Sequence, residues 1–175
     1  MNKATFGAGC FWGVEMAFSQ NFGVTQTAVG YSGGKLPDPT YEMVCTGQSG
    51  HAEVVEVEYD PSKIEYSALL ELFWSIHDPT TLNRQGPDIG TQYRSVIFYH
   101  SPEQKQIAEE MVKFLEDEKV YINPIVTELA ALKEFYLAED YHQNYERNNP
   151  GNSYVQSVSI PRLNAFKEKM PEVLK

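Results

Sequence analysis

Two cysteines, a few carboxylates and a set of tyrosines and histidines hold the reactive chemistry of this chain. Cys10 stands in Gly9-Cys10-Phe11-Trp12-Gly13, between a short apolar run and a segment with helical spacing. A thiol at a strand-to-helix turn meets the unpaired N–H groups of the first helical turn, which favour thiolate, the nucleophilic form. Gly9 and Gly13 keep the backbone open to an approaching ligand. Phe11 and Trp12 beside the thiol make an apolar receptor. Cys45, in Tyr41-Glu42-Met43-Val44-Cys45-Thr46-Gly47, has no helix start or basic neighbour to activate it and reads as an inert structural cysteine.

Glu53 is the second candidate. Alternation puts His51, Glu53, Val55, Val57 and Tyr59 on one strand face, so a carboxyl shares the side of two valines. Two readings stand: desolvation there would raise its pKa and keep a proton available for donation, or the position is at an edge where the carboxylate simply reaches water. Asp88, among Gly86, Pro87 and Gly90, reads as a turn residue, with Arg94 as a surface ion-pair partner of little energetic weight. His51, His77, His100 and His142 lack metal-ligand spacing, as do the cysteines, so neither a metal site nor a cofactor is expected. The Gly30 to Gly34 cluster lacks the Lys-Ser/Thr of a phosphate loop.

The elements that must position these groups alternate. Strands are expected over 3–8, 24–31, 51–59, 93–100 and 125–129, and an irregular Gly, Pro and Asp-rich loop over 32–41. Helices are expected from Cys10 to about Gln20, from Asp60-Pro61 to about His77, from Ser101-Pro102 onward, over 138–147 and over 163–169. Ser101, Pro102 and Gln104 form a helix start with a hydroxyl cap and a capping-box glutamine. Strands interleaved with helices, several strands half-polar, predict an α+β protein, a two-layer α/β sandwich.

Composition narrows the function. With 175 residues, 14 Lys plus Arg against 24 Asp plus Glu and a net charge of −10, one catalytic domain over 1–175 is expected. Such a chain is a poor ligand for nucleic acid or anionic lipid. No apolar run reaches a membrane span, and the N-terminus lacks a secretory signal, so a cytoplasmic location is expected. Two cysteines are too few for a disulfide scaffold but leave open a redox pair.

Taken together, the motifs resemble the peptide methionine sulfoxide reductase A family. Gly9-Cys10-Phe11-Trp12-Gly13 resembles its active-site signature. Four further blocks follow in the family's order: Pro39-Thr40-Tyr41, Gly50-His51-Ala52-Glu53-Val54-Val55, Asp88 through Ser95, and Ala138-Glu139-Asp140-Tyr141-His142-Gln143. The resemblance implies a ferredoxin-like core with elaborations and reduction of the S epimer of methionine sulfoxide, free or in peptides. It implies that Cys10 attacks the sulfoxide sulfur, that Glu53 supplies the proton, and that Tyr41 and Tyr93 hydrogen-bond the sulfoxide oxygen. Asp88 would order that network. Phe11 and Trp12 would hold the S-methyl, with His142 and Tyr145 also lining the substrate site. The product on the enzyme would be a Cys10 sulfenic acid.

One departure bears on mechanism. Many family members carry recycling cysteines near the C-terminus, commonly after a Gly-Tyr pair. Here the stretch reads Asn149-Pro150-Gly151-Asn152-Ser153-Tyr154-Val155, with Val155 where the thiol would stand and no cysteine after Cys45. A one-cysteine enzyme is expected, acting as a monomer and recycled by an external thiol: thioredoxin, glutaredoxin with glutathione, or a small dithiol. Two other readings compete. One is a cysteine hydrolase pairing Cys10 with His51 or His142. The other is a non-catalytic binder of oxidised methionine, which would need neither a nucleophile nor a proton donor.

Overall fold

A computed structural model describes residues 1–169. Its centre is a six-stranded sheet in the order β7-β6-β1-β3-β2-β8, built from β1 (Asn2–Ala8), β2 (Val24–Ser32), β3 (Ala52–Tyr59), β6 (Ser95–Tyr99), β7 (Glu128–Ala131) and β8 (Phe135–Leu137). All neighbours run antiparallel except β6 and β7, which are parallel. A separate two-stranded ribbon joins β4 (Arg84–Gln85) to β5 (Asp88–Ile89). Helices α1 (Phe11–Ser19), α3 (Tyr66–Ser75) and α4 (Pro102–Asp117) supply the second layer expected of an α+β sandwich. The remaining α-helices are α2 (Tyr41–Cys45), α5 (Tyr145–Asn148) and α6 (Ile160–Lys169).

The main core lies where β1 meets α1 and α3. Phe6 stacks on Phe18 at a ring-centroid distance of 5.0 Å and on Phe73 at 5.2 Å. Val29, Val55 and Val57 join that core, whereas Ala52, Val54, Val96 and Phe98 form a smaller one capped by Leu132 and Phe135. Near the site, β3 is therefore buried on both faces, and only Glu56 and Glu58 reach the surface zone. β1 is an interior strand of the sheet, and its buried C-terminal half runs directly into α1 through Cys10.

Several boundaries differ from expectation for local reasons. Asp60-Pro61 does not open a helix: Asp60 Oδ1 accepts from Ser62 N at 2.9 Å and from Ser62 Oγ, closing an Asx turn that delays α3 to Tyr66. Ser101 caps α4 through Gln104 N at 3.2 Å. The Gln104 side chain, however, accepts from His100 N rather than from the cap residue, and donates to Lys3 O on β1. Residues 91–93 form a 3-10 turn before β6. The expected 125–129 strand is shifted to β7, and the expected 138–147 helix is divided into a 3-10 turn (Asp140–His142) and α5. The three-residue β8 is too short to show periodicity, and its pairing with β2 decides it.

Candidate active site

Cys10 is the N-cap of α1, 8% exposed, with Trp12 N–H directed at its thiol. That geometry favours thiolate, but it does not dominate. Burial pushes the thiol well above its ordinary range, the Glu53 and Asp88 carboxyls push it further, and the Trp12 N–H and the Tyr154 hydroxyl pull back. At rest Cys10 is a thiol. The expectation of a helix-start thiolate is corrected by desolvation outweighing the helix end.

Glu53, 1% exposed, is brought to Cys10 by pairing of β3 with β1 and β2. Its Oε1 accepts from Phe11 N at 3.1 Å, and its Oε2 has no protein partner. Burial raises its pKa to about 8, against the lowering effect of the Phe11 hydrogen bond and with a further push from Asp88. At neutral pH it is a carboxylic acid beside the thiol.

Three other elements converge on the same point. Tyr41 opens α2, and its backbone N–H donates to Glu139 Oε2 at 2.9 Å, while Glu139 Oε1 accepts from Tyr31 Oη at 2.9 Å. Tyr93 comes from the 3-10 turn, and Asp88 from β5. Burial, followed by the nearby Glu53, raises the pKa of both Tyr41 and Tyr93, so each hydroxyl keeps its proton as a donor. Arg94 does not pair with Asp88, as the loop sequence suggested. It bonds Glu128 Oε2 at 3.0 Å and the carbonyls of Thr91 and Gly50, which leaves Asp88 to the site.

The aromatic wall is layered. Phe11 is buried between Tyr31 and His142. Trp12 stacks on Tyr145 with centroids 3.8 Å apart and planes 11° off parallel, and donates from Nε1 to His142 Nδ1 at 2.9 Å. This bond places the proton of neutral His142 on Nε2, and burial holds its pKa down. Tyr41 packs on the same imidazole at 4.4 Å.

Two residues stand differently from the sequence reading. Cys45 is exposed rather than buried, at the end of α2, and its thiol faces the Tyr41 hydroxyl. Helical geometry brings residues 41 and 45 to one face, which the segment's composition did not reveal. Tyr154, to which the sequence reading assigns no role, also reaches the site. It donates to Asp88 Oδ2, faces the Cys10 thiol and meets Trp12 edge-on at 6.0 Å. Its only sequence signal was its place before Val155, which is buried at the start of a π-helical turn (Val155–Ser159). Among the described residues, no three of His, Cys, Asp and Glu gather as a metal site, and no helix is long and apolar enough to cross a membrane.

The family model described as peptide methionine sulfoxide reductase matches residues 2–174. The chain belongs to this family. A peptide methionine sulfoxide reductase of Methanothermobacter thermautotrophicus is 62% identical over 148 residues, covering 85% of this chain and 88% of the relative. That of Polynucleobacter asymbioticus is 49% identical over 174 residues, 99% of this chain and 92% of the relative. Methionine sulfoxide reductase A of Corynebacterium diphtheriae superposes with a TM-score of 0.82 at 41% identity, covering 86% of this chain and 76% of that one. The reduced form of Mxr1 from Saccharomyces cerevisiae gives 0.79 at 36% identity, covering 86% and 87%. Mxr1 in complex with Trx2 gives 0.56 at 26%, covering 82% and 84%. As a member of the reductase family the chain is a thiol-dependent oxidoreductase acting on peptide methionine sulfoxide.

Proposed function

We propose that the chain reduces the S epimer of methionine sulfoxide with Cys10 as nucleophile and Glu53 as acid. The observation that carries this reading is the pairing of a buried thiol with a buried, protonated carboxyl whose Oε2 is unpartnered. Cys10 attacks the sulfoxide sulfur. The oxygen, gaining negative charge, accepts hydrogen bonds from Tyr41 and Tyr93 and takes the proton of Glu53. Methionine leaves, and oxygen remains on sulfur as a Cys10 sulfenic acid. Trp12, fixed by Tyr145 and His142, and the edge of Phe11 orient the S-methyl. A neutral His142 whose Nδ1 is occupied by Trp12 has no free base for a hydrolase, and His51 is engaged through both ring nitrogens with Gly34 N and Leu36 O. That disfavours the hydrolase reading.

Recycling by an external thiol is supported by the buried Val155, by the lack of any cysteine beyond Cys45, and by the Trx2 complex of the yeast relative. A thioredoxin-class dithiol is the partner that this combination favours. The deciding experiment supplies each sulfoxide epimer separately with excess dithiothreitol. Methionine is expected from the S epimer alone, and equal turnover of the two epimers would refute the reading. One substrate equivalent without reductant should leave a dimedone-reactive sulfenic acid on Cys10.

A further inference from the structure

In the proposed reaction Tyr41 and Glu53 act on one oxygen, yet they come from parts of the chain with little in common. Glu53 sits on β3, whereas Tyr41 ends an irregular run over residues 33–40 and opens the short α2. The Tyr41 N–H lies in the first helical turn, where no carbonyl of the helix can receive it. Glu139 receives it instead, through Oε2 at 2.9 Å. Its other oxygen, Oε1, accepts from the Tyr31 hydroxyl at 2.9 Å. Tyr31 is fully buried on β2 and stands directly opposite Glu53 across the β2–β3 ladder, so the two side chains leave the same face of the sheet. One carboxylate therefore bridges the strand pair that carries the acid to the loop end that carries the donor.

Glu139 is itself fixed without help from Tyr41. Ala138 N, one residue before it, donates to Val29 O on β2 at 3.0 Å. Four residues after it, the Gln143 side chain accepts from Val29 N at 2.9 Å and donates to Val29 O at 3.0 Å. Between these anchors Glu139 O accepts from His142 N at 3.0 Å, which helps set the imidazole on which the Tyr41 ring packs at 4.4 Å. Partial burial pushes the Glu139 carboxyl up, but hydrogen bonds from Tyr41 N, from its own N–H and from Tyr31 Oη more than offset this and leave it ionised at neutral pH. An ionised carboxylate only accepts, which suits two donors arriving from different elements.

We infer that Glu139 is a positioning residue for the reduction: it fixes the Tyr41 hydroxyl relative to Glu53, so that donor and acid meet the same sulfoxide oxygen. This rests on the reading of Tyr41 as a donor to that oxygen. Both Glu139 oxygens are taken up by Tyr31 and Tyr41, so the residue acts through Tyr41 rather than on the substrate. Without the bridge, the Tyr41 N–H loses its acceptor. The start of α2 is then left to the Thr40 cap on Met43 N, at 3.3 Å, and to the buried Val44. A displacement of the hydroxyl by about 1 Å is enough to cost on the order of a hundredfold in rate, because a donor must lie where charge develops on the oxygen.

Full-length variants assayed with the S sulfoxide and excess dithiothreitol test this. Glu139→Ala should lower kcat by about tenfold to a hundredfold, with a smaller change in KM. Glu139→Gln should stay within about threefold of wild type, because its amide oxygen still accepts from Tyr41 N and its NH2 donates to the Tyr31 oxygen. In a Tyr41→Phe background, which has no hydroxyl to misplace, Glu139→Ala should cost less than about twofold more. A merely structural role would lower activity in both backgrounds alike. Losses that multiply, wild-type kcat in Glu139→Ala, or a Glu139→Gln enzyme as impaired as Glu139→Ala would each overturn the inference. Should Glu139→Ala fail to fold, Tyr31→Phe removes one end of the bridge. It should lower kcat by about threefold or more, and a loss that persists in the Tyr41→Phe background would again count against Glu139. Wild-type kcat in Tyr41→Phe would overturn the donor reading and the inference together, whereas an impaired Tyr41→Phe beside an unimpaired Glu139→Ala would overturn the inference alone.

Discussion

The backbone N–H of Phe11 and the carboxyl of Glu53 meet at 3.1 Å, linking the first turn of α1 to the middle of β3. The bond uses one carboxyl oxygen and leaves Oε2 without a protein partner. It ties the carboxyl to the residue next to Cys10, and burial keeps that carboxyl protonated to about pH 8. The same link makes Glu53 sensitive to pH in two separate ways.

The first concerns activity. If protonated Glu53 is the proton donor, kcat with the S sulfoxide falls as pH rises through about 8. Glu53→Gln should be slower by about 10²-fold while retaining partial activity, since its amide still donates a hydrogen bond, and it should lose the limb due to Glu53. Glu53→Ala should be slower again. Wild-type rates in Glu53→Ala would exclude Glu53 as the donor.

The second concerns stability. Folding raises the Glu53 pKa from its ordinary value of 4.5 to about 8, so between those values the unfolded chain is ionised while the folded one holds the proton. The unfolded state then binds fewer protons, and stability falls as pH rises across that window, levelling above it. The loss has an upper bound on the order of 5 kcal/mol. Glu53→Gln should therefore gain in Tm relative to wild type from pH 5 to pH 8. Parallel Tm curves for the two proteins would contradict the raised pKa.

Burial first, and Glu53 after it, keeps Tyr41 and Tyr93 protonated, and the two come from unconnected segments. As donors to the developing oxyanion, each should cost about 10²-fold in kcat when replaced by Phe, with smaller changes in KM. A change confined to KM would make them binding groups instead. Tyr41→Phe also removes the hydroxyl that faces Cys45, so its far-UV spectrum and Tm should be compared with wild type.

Exposure of Cys45 puts the one-cysteine mechanism within reach of a single variant. Cys45→Ser should keep turnover with dithiothreitol within about threefold of wild type, since it leaves the Tyr41 ring and the path from Cys10 sulfenic acid to external thiol in place. Rapid formation of a Cys10–Cys45 disulfide after one substrate equivalent, seen by mass spectrometry, would contradict direct recycling.

Gly7 tests the scaffold beneath the site. A Cβ there would lie 2.7 Å from Val96 Cγ1 and 3.1 Å from Glu53 O, squeezing β1 against the strand that carries the acid. Gly7→Ala should destabilise by roughly 1–3 kcal/mol, seen as a Tm lower by roughly 3–10 °C. An unchanged Tm would mean that β1 and β6 separate without cost.

Cys10, Phe11, Trp12, Glu53 and the turn into α1 were legible in the chain because each depends on neighbours a few residues away. Glycine flanks, a strand-to-helix turn and strict alternation are local signals, and they set which face Glu53 takes. The α+β class was legible for the same reason. The delayed start of α3, the short β8 and the path of Arg94 were not, because an Asx turn, a strand pairing and two distant acceptors, Glu128 and the Gly50 carbonyl, decide them. Protonation was legible for neither partner. The apolar strand face allowed a raised Glu53 but left an edge carboxylate equally open, and the Cys10 thiol answers to burial and to two carboxyls from other strands as well as to its own helix end. Cys45 and Tyr154 show the limit most clearly. Neither has a local feature that announces its neighbours: one turn of helix sets Cys45 before Tyr41, and packing of the C-terminal segment sets Tyr154 between Asp88 and Cys10. Sequence by itself determined the family and pointed to Cys10 and Glu53 as the candidate reacting groups. Tertiary structure decided their charge states and companions, because desolvation and Coulomb fields depend on distances between residues far apart along the chain.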